Sequence, residues 1–165
     1  REEVHVLALF EDTESALRLG EILYAALPPL MNDPEKLGDQ VYVNEDEEIL
    51  GEVDKYLVNA VALSIDEVAR EIFALGGLFV PAHIDRPSMS LSSQLGFIPE
   101  MAYSALEITE WPCLMNTATH PLVSNSDAHY LDGIGRRRTF FEAPSPTFRA
   151  FRDALRRNKV LTSFS

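Results

Sequence analysis

The sequence predicts an α/β fold in which short apolar strands alternate with helices. Apolar runs of strand length occur at residues 4–10, 78–83 and 122–129 (VHVLALF, LFVPAH and LVSNSDAH), and segments with apolar residues at helical spacing lie among them. This alternation is typical of α/β domains with parallel strands. A chain of 165 residues with 46% hydrophobic content can bury one core. We therefore predict a single domain over residues 1–165.

The first helix follows the first strand directly. Asp12 or Thr13 is expected to cap it, because either side chain can accept a bond from a free backbone N–H, and the prolines at 28 and 29 are expected to stop it. Residues 31–54 are polar, acidic and rich in turns, and VYVNEDEEILGEV within them resembles a small hairpin. We interpret this stretch as an insertion or lid. The acidic run at 45–48 is either a solvated turn or a cation site.

The second half of the chain contains clear signals for where helices begin and end. Ser64 and Glu67 have the spacing of a capping box, and the helix that they begin should end at Gly76 and Gly77. The strand at 78–83 then leads into a Ser- and Pro-rich loop, RPSMSLSSQLG, and SALEIT at 104–109 is a further short strand. We expect SPTFRAFRDALRRNK to form the last helix, with Ser145 as its cap and Pro146 at its first position.

Charge and composition exclude several classes of protein. A formal charge of −12 argues against nucleic-acid binding, which depends on clustered Lys and Arg side chains. Three consecutive arginines at 136–138 point in different directions, which favours solvated surface. Cys113 is the single cysteine and cannot form an internal disulfide. A reducing cytoplasm is therefore the expected location. No apolar run has the length of a membrane span, so we also expect no membrane contact.

Residues that commonly bind metals lie where strands end. His83 closes one apolar strand, and Asp127 and His129 follow another. The carboxyl ends of parallel strands converge on one rim, so a shared site is plausible. His5 is a further candidate, but it lies early in its strand and the rim argument does not place it.

Each of these residues also has an ordinary interpretation. A single histidine in an apolar strand is often a core residue with a hydrogen-bond partner, and an Asp-x-His pair in a loop can be a local turn. Four such groups in or near apolar strands favour metal binding, because each buried polar side chain needs a partner. His120 precedes Pro121 in a polar stretch and is assigned to the surface.

Three segments resemble a known family. PAHIDRPS and SNSDAHYLDGIG, preceded by EVHVLALF, are similar to the later half of the polymerase and histidinol phosphatase (PHP) superfamily of metal-dependent phosphoesterases. The resemblance covers nearly the whole chain. It implies part of a distorted (β/α)7 barrel whose first strands are missing, with up to three divalent ions at one rim. Imidazole and carboxylate ligands suit zinc, manganese or iron.

The resemblance also implies roles for particular residues. His5 and His83 would share one ion, Asp127 would bind a second ion, and His129 a third. Arg86 falls where members of the family place a basic residue near the phosphate, although HIDRP differs from the commoner HPGR form. We therefore expect Arg86 to clamp the phosphate.

Arg86 has an alternative role. An ion pair with Asp85 or Asp132 at the surface would explain the same residue without any ligand.

One part of the family pattern is absent. The family begins with an HxH motif, adds an acid and another histidine, and has a bridging glutamate just before the segment with which this chain begins. The sequence contains no HxH, and Glu2 and Glu3 lie beyond the expected glutamate. The chain also begins without Met and enters a strand pattern almost at once, so we expect residues preceding Arg1 to have been removed or to belong to another piece. The chain alone should then be inactive, and should self-associate or pair with the missing N-terminal segment.

The expected function of the complete protein is metal-dependent hydrolysis of a small phosphate ester. A non-catalytic remnant or partner-binding half is an alternative that the missing HxH favours. A PHP-type nuclease is another, against which the charge of −12 counts.

Overall fold

The computed structural model describes residues 2–164, which form the mixed α/β structure that the sequence predicts. Its elements in chain order are β1 (Val6–Leu9), α1 (Thr13–Ala26), α2 (Pro34–Leu37), β2 (Val41–Val43), β3 (Ile49–Glu52), α3 (Ile65–Ala74), β4 (Leu78–Pro81), α4 (Leu91–Leu95), β5 (Leu106–Glu107), β6 (Leu122–Val123), a 3₁₀ turn (Leu131–Gly133), β7 (Arg137–Phe141), α5 (Phe148–Arg156) and β8 (Val160–Phe164).

The strands pair in four two-stranded sheets, and only one pair is parallel. β5 and β6 run parallel, whereas β1 pairs antiparallel with β4, β2 with β3, and β7 with β8. The prediction of parallel strands is therefore wrong for most of the chain. The long connections from β1 to β4 and from β7 to β8 contain helices and permit either strand direction, so the alternation of strands and helices does not decide it.

Further hydrogen bonds link three of these sheets into an open row. Ser104 donates its N–H to the carbonyl of Phe79 (2.9 Å), and Ile84 donates to the carbonyl of Glu107 (2.8 Å). β4 therefore lies beside residues 104–107, which end in β5 and are called the β5 segment below. The N–H of Ser124 reaches the hydroxyl of Thr139 in β7 at 2.8 Å, and β6 lies against β8. Within residues 2–164 the row does not close into a barrel.

β4 is the centre of the core because both of its faces are covered. Leu78 and Val80 point to one side, where they pack with Leu155 of α5, while Phe79 points to the other side and packs with Ile72 of α3. All four residues of β4 are buried. Burial on both faces explains why the strand is apolar without alternation. A third cluster joins Ile84, Leu91, Leu106 and Ile108 beneath the segment that follows β4.

β1 is less buried than its apolar sequence predicts. Val6 and Ala8 pack on the cluster around Phe79, but no residue of the strand is fully buried. The side of β1 that does not pair with β4 faces an open cavity.

The local helix signals are mostly confirmed. Asp12 caps α1 by accepting the N–H of Ser15 at 2.8 Å. Ser64 and Glu67 form the reciprocal capping box that begins α3, and Gly76 follows that helix in the left-handed conformation with φ of 74°. These interactions involve neighbouring residues only, which is why the sequence alone predicts them.

The last helix begins later than predicted. Thr147, rather than Ser145, caps α5 by accepting the N–H of Ala150 at 3.2 Å, so Pro146 lies outside the helix. The Ser-Pro pattern fits a helix start equally well, but Thr147 directly precedes the apolar face that packs on the core. The loop after β4 also differs from the prediction, since part of it forms α4, capped by Ser90.

β2 and β3 form the hairpin that the pattern at 31–54 indicated, while its role as an insertion or lid stays a prediction. The arginine cluster was not expected to begin a strand, yet β7 starts at Arg137 and pairs with β8 along five residue pairs. Within the described part of the chain, no helix is both long enough and apolar enough to cross a bilayer.

Candidate functional site

His5 and His83 meet where β1 begins and β4 ends. Val6 lies opposite Pro81 in the antiparallel pair, and the N–H of Ala82 donates to the carbonyl of His5 at 2.9 Å. The two imidazoles therefore face one another, with His5 Nδ1 3.2 Å from His83 Nε2. The antiparallel register thus brings His5, which the rim argument could not place, to the carboxyl end of β4.

The two histidines have different surroundings. His83 is buried, with 3% of its surface exposed, whereas His5 is exposed. Burial lowers the pKa of His83 below its usual range, because the charged imidazolium is disfavoured away from water. His83 is therefore neutral near pH 7, which is the form that can bind a metal.

Two further features of His83 indicate a constrained position. Its backbone has φ of 32°, in the left-handed region that side chains other than glycine rarely adopt. Its Nδ1 atom is buried and has no hydrogen-bond partner among residues 2–164. Strained backbone and unpaired buried polar atoms are concentrated at functional sites.

Glu107 is a buried carboxylate that the sequence interpretation missed. It is 4% exposed, and its Oε2 accepts the backbone N–H of His83 at 2.9 Å. Its Oε1 accepts a hydrogen bond from the side-chain amide of Asn125 at 2.8 Å. The available signal was the single charge within the apolar segment SALEIT, since a buried carboxylate needs partners.

These groups line one cavity of about 970 Å³ beside β1. Its lining includes the polar residues His5, His83, Glu107, Asn125 and Asp127 together with many apolar side chains. The cavity thus combines convergent polar groups with an apolar lining, as ligand sites commonly do.

Asp127 is engaged by Arg86 at the edge of this cavity. A guanidinium nitrogen of Arg86 donates to Asp127 Oδ2 at 2.5 Å, and the two side chains are 41% and 30% exposed. The sequence had offered Asp85 or Asp132 as ion-pair partners. Asp85 instead accepts the backbone N–H groups of Thr109 and Glu110.

Asp132, the other expected partner of Arg86, instead forms an ion pair with Arg136 at 3.4 Å.

His129 lies apart from the two paired histidines. It is exposed, and its Nδ1 is 2.9 Å from the backbone carbonyl of Asp127. A second cavity, of about 610 Å³, is lined by His129, Asp127 and Arg86 among others. Asp127 lines both cavities and so lies between His129 and the histidine pair.

His120 takes no part in either cavity. It is half-buried rather than at the open surface, and its ring packs edge-on against Tyr103 with 5.1 Å between centroids. Its placement outside the site agrees with the sequence interpretation.

The geometry of the histidine pair fits one metal ion. Two imidazole nitrogens bound to a tetrahedral zinc at about 2.0–2.1 Å are about 3.3 Å apart, close to the 3.2 Å between His5 and His83. However, no group of three or more His, Cys, Asp or Glu side chains within residues 2–164 is arranged to hold an ion. The pair can supply two ligands of a site. Metal binding by all four predicted residues stays a prediction.

Comparisons with known proteins relate this chain to one family and to solved structures. Residues 114–160 match the PHP-associated family. The fold is similar to the crystal structure of the lesion-specific endonuclease PfuEndoQ from Pyrococcus furiosus, with a TM-score of 0.62 and 20% identity over 93% of this chain and 36% of that chain. A search of curated proteins finds no significant match. The matches confirm the resemblance of this chain to the C-terminal part of a PHP-superfamily protein.

Proposed function

We propose that this chain, as a C-terminal part related to the PHP superfamily, contributes to a divalent-metal-dependent hydrolase that cleaves phosphate esters. The chain spans about a third of the endonuclease that it resembles, so the activity proposed is that of the whole protein. The substrate proposed first is a small phosphorylated molecule. Zinc, manganese and iron are the metals that suit the available ligands.

One observation carries this proposal, namely the 3.2 Å separation between His5 Nδ1 and His83 Nε2. Hydrogen bonding between two neutral imidazoles would also give this distance. Yet the His83 ring is buried and its backbone is left-handed, whereas His5 faces a cavity of about 970 Å³. A fixed ligand beside an accessible one leaves coordination positions free on the cavity side, as a catalytic site requires.

The open row of strands supports a barrel origin. β4, the β5 segment and β6 run side by side in the same direction, and His83 and Asp127 follow the ends of β4 and β6. We propose that this row is an arc of the distorted barrel that the sequence resemblance implies. Residues outside this chain would then supply the remaining strands.

Each residue of the site has a distinct task in this mechanism. When bound, a divalent ion supplies Lewis acidity and a water of lowered pKa. Neutral His83 would hold it at the cavity wall together with His5. Arg86 donates to Asp127 here, and its planar guanidinium can instead donate two parallel bonds to a phosphate. Asp127 would then be available as a metal ligand.

Two imidazoles are too few for a tight site, since zinc normally has three or four protein ligands. We propose that the remaining ligands of this ion come from an HxH segment outside this chain, while Asp127 and His129 bind the second and third ions. The chain alone should therefore bind metal weakly and be inactive. Its exposed β1 edge and open cavity wall would pair with that segment or with a second copy.

A PHP-type nuclease is the second candidate. The observation that favours it is the likeness to a protein described as a lesion-specific endonuclease. The charge of −12 weighs against a broad nucleic-acid surface. A non-catalytic, partner-binding role is the third candidate, and it would explain why the metal ligands within residues 2–164 are incomplete.

A direct comparison of substrates separates these functions. The full-length protein, loaded in turn with zinc, manganese or iron, is incubated with an aryl phosphate monoester and with a single-stranded oligonucleotide. Phosphate release that His83→Ala abolishes, and that the control His120→Ala retains, supports the phosphoesterase. Cleavage of the oligonucleotide alone supports the nuclease, and no turnover of either supports the non-catalytic role.

A further inference from the structure

Glu107 occupies a central position between two loops of the candidate site. Its side chain accepts the N–H of His83 at 2.9 Å, and its backbone carbonyl accepts the N–H of the next residue, Ile84, at 2.8 Å. Two consecutive amides of the turn after β4 are therefore held by one residue. This turn contains the left-handed backbone of His83, which needs such external support to persist.

The other oxygen of the same carboxylate reaches the second loop. Glu107 Oε1 accepts a hydrogen bond from Asn125 Nδ2 at 2.8 Å, two residues before Asp127. Asp127 also has a left-handed backbone, with φ of 48°. One buried carboxylate thus links the two loops that carry the predicted ligands.

Stability alone is a poor explanation for this carboxylate. Glu107 is 4% exposed, and the two donors to its side chain are neutral amides rather than a cation. Burying a charge with neutral partners is costly, and an apolar residue would be expected in its place if only packing mattered. A requirement for fixed geometry explains why a hydrogen-bond acceptor with two oxygens is present.

We propose that Glu107 is a positioning residue that ties the turn of His83 to the loop of Asp127 and so fixes the spacing of the candidate ligands. This role rests on the proposed metal site for its purpose, but the link itself can be tested without metal. Asn125 is the second half of the link. Neither residue needs to touch the substrate.

Three variants of the full chain separate the parts of this link. Glu107→Leu removes both acceptors. Asn125→Ala, at an exposed position, removes only the donor on the loop. Glu107→Gln keeps both contacts, because its amide oxygen can accept the N–H of His83 and its NH2 can donate to the flipped amide of Asn125.

Amide hydrogen exchange, measured without metal, reads out each loop. We expect Glu107→Leu to speed exchange at His83 and at residues 125–129 by at least tenfold, and Asn125→Ala to speed it only at 125–129. Glu107→Gln should leave both protected. The proposal is overturned if Glu107→Gln reproduces the effect of Glu107→Leu, or if Asn125→Ala leaves the loop unchanged. Because Asn125 is exposed, its variant keeps the test valid if Glu107→Leu fails to fold.

Zinc affinity is a second measurement, and it should not change in the variants if Glu107 only stabilises the fold. Loss of a group that orients a ligand typically costs 10- to 100-fold in metal affinity. We expect a loss of that size in Glu107→Leu and a change under about threefold in Glu107→Gln. If the parent chain binds no zinc, the proposed metal site fails, while the exchange results still decide the positioning role.

Discussion

Arg86 and Asp127 form an ion pair across 41 positions of sequence, with 2.5 Å between the guanidinium nitrogen and Oδ2. The backbone of Arg86 is held in place, because its carbonyl accepts the hydroxyls of Ser90 and Ser92 and its N–H donates to the carbonyl of His83. The side chain is 41% exposed. The residue predicted to bind phosphate is thus held by a residue predicted to bind metal.

Arg86→Ala should impair catalysis far more than folding. Loss of one donor to the transition state commonly costs about 100-fold in turnover, whereas a partly exposed ion pair contributes about 0–1 kcal/mol to stability. We expect phosphate-ester turnover by the full-length protein to fall to that extent, and the melting temperature to change by less than about 4 °C. Activity assays and thermal unfolding measure both.

Arg18→Ala is the matched control for this prediction. Arg18 forms an exposed ion pair with Glu21 on α1. Arg18→Ala should leave turnover unchanged. Equal kinetics in Arg18→Ala and Arg86→Ala would show that Arg86 is not part of the site.

The true cap of α5 can be identified by mutation. Thr147 accepts the N–H of Ala150, whereas Ser145 is exposed and its hydroxyl makes no such bond. Thr147→Ala should lower the free energy of unfolding by about 1 kcal/mol, and Ser145→Ala by much less. For a chain of this size, 1 kcal/mol corresponds to about 2–4 °C in melting temperature. A larger loss of stability in Ser145→Ala than in Thr147→Ala would show that Ser145 is the cap, as the sequence predicted.

Tyr103 should make the fold sensitive to alkali. Burial raises its pKa to about 12, with a further contribution from the negative charge of Asp66, and its hydroxyl donates to the carbonyl of Pro99 at 2.8 Å. In the unfolded chain the phenol ionises near 10. The folded state therefore keeps a proton that the unfolded state has lost, so stability present below pH 10 declines as the pH rises toward 12.

The control for this effect is Tyr103→Phe, which has no phenol to ionise. Urea unfolding near pH 9 and near pH 11 should show a larger loss of free energy in the parent than in the variant. Parallel losses would mean that Tyr103 does not contribute to the decline.

Local features of the fold could be predicted from the sequence because they depend on neighbouring residues. Asp12 and the Ser64–Glu67 box bond within their own first turns. Strand direction could not be predicted in this way, since the antiparallel pairing of β1 with β4 depends on packing between segments about 70 residues apart. The apolar sequence of β1 fits either direction equally well.

The candidate site could likewise be predicted only in part. The sequence singled out His83 and Asp127 because both follow apolar strands, but the contact of His5 with His83 arises only from the antiparallel register. Glu107 was overlooked because its partners are a backbone N–H and an amide from two other segments. Contacts of that kind leave no spacing pattern in the chain.

Zinc titration of the chain and of its histidine variants tests the central claim most directly. Competition with a chelator gives affinity and stoichiometry, and X-ray absorption gives the number of imidazole ligands. The account predicts one weakly bound ion per chain with two imidazole nitrogens at about 2.0–2.1 Å, lost in His5→Ala and in His83→Ala but kept in His120→Ala. Equal zinc binding by the parent, His5→Ala and His83→Ala would contradict it.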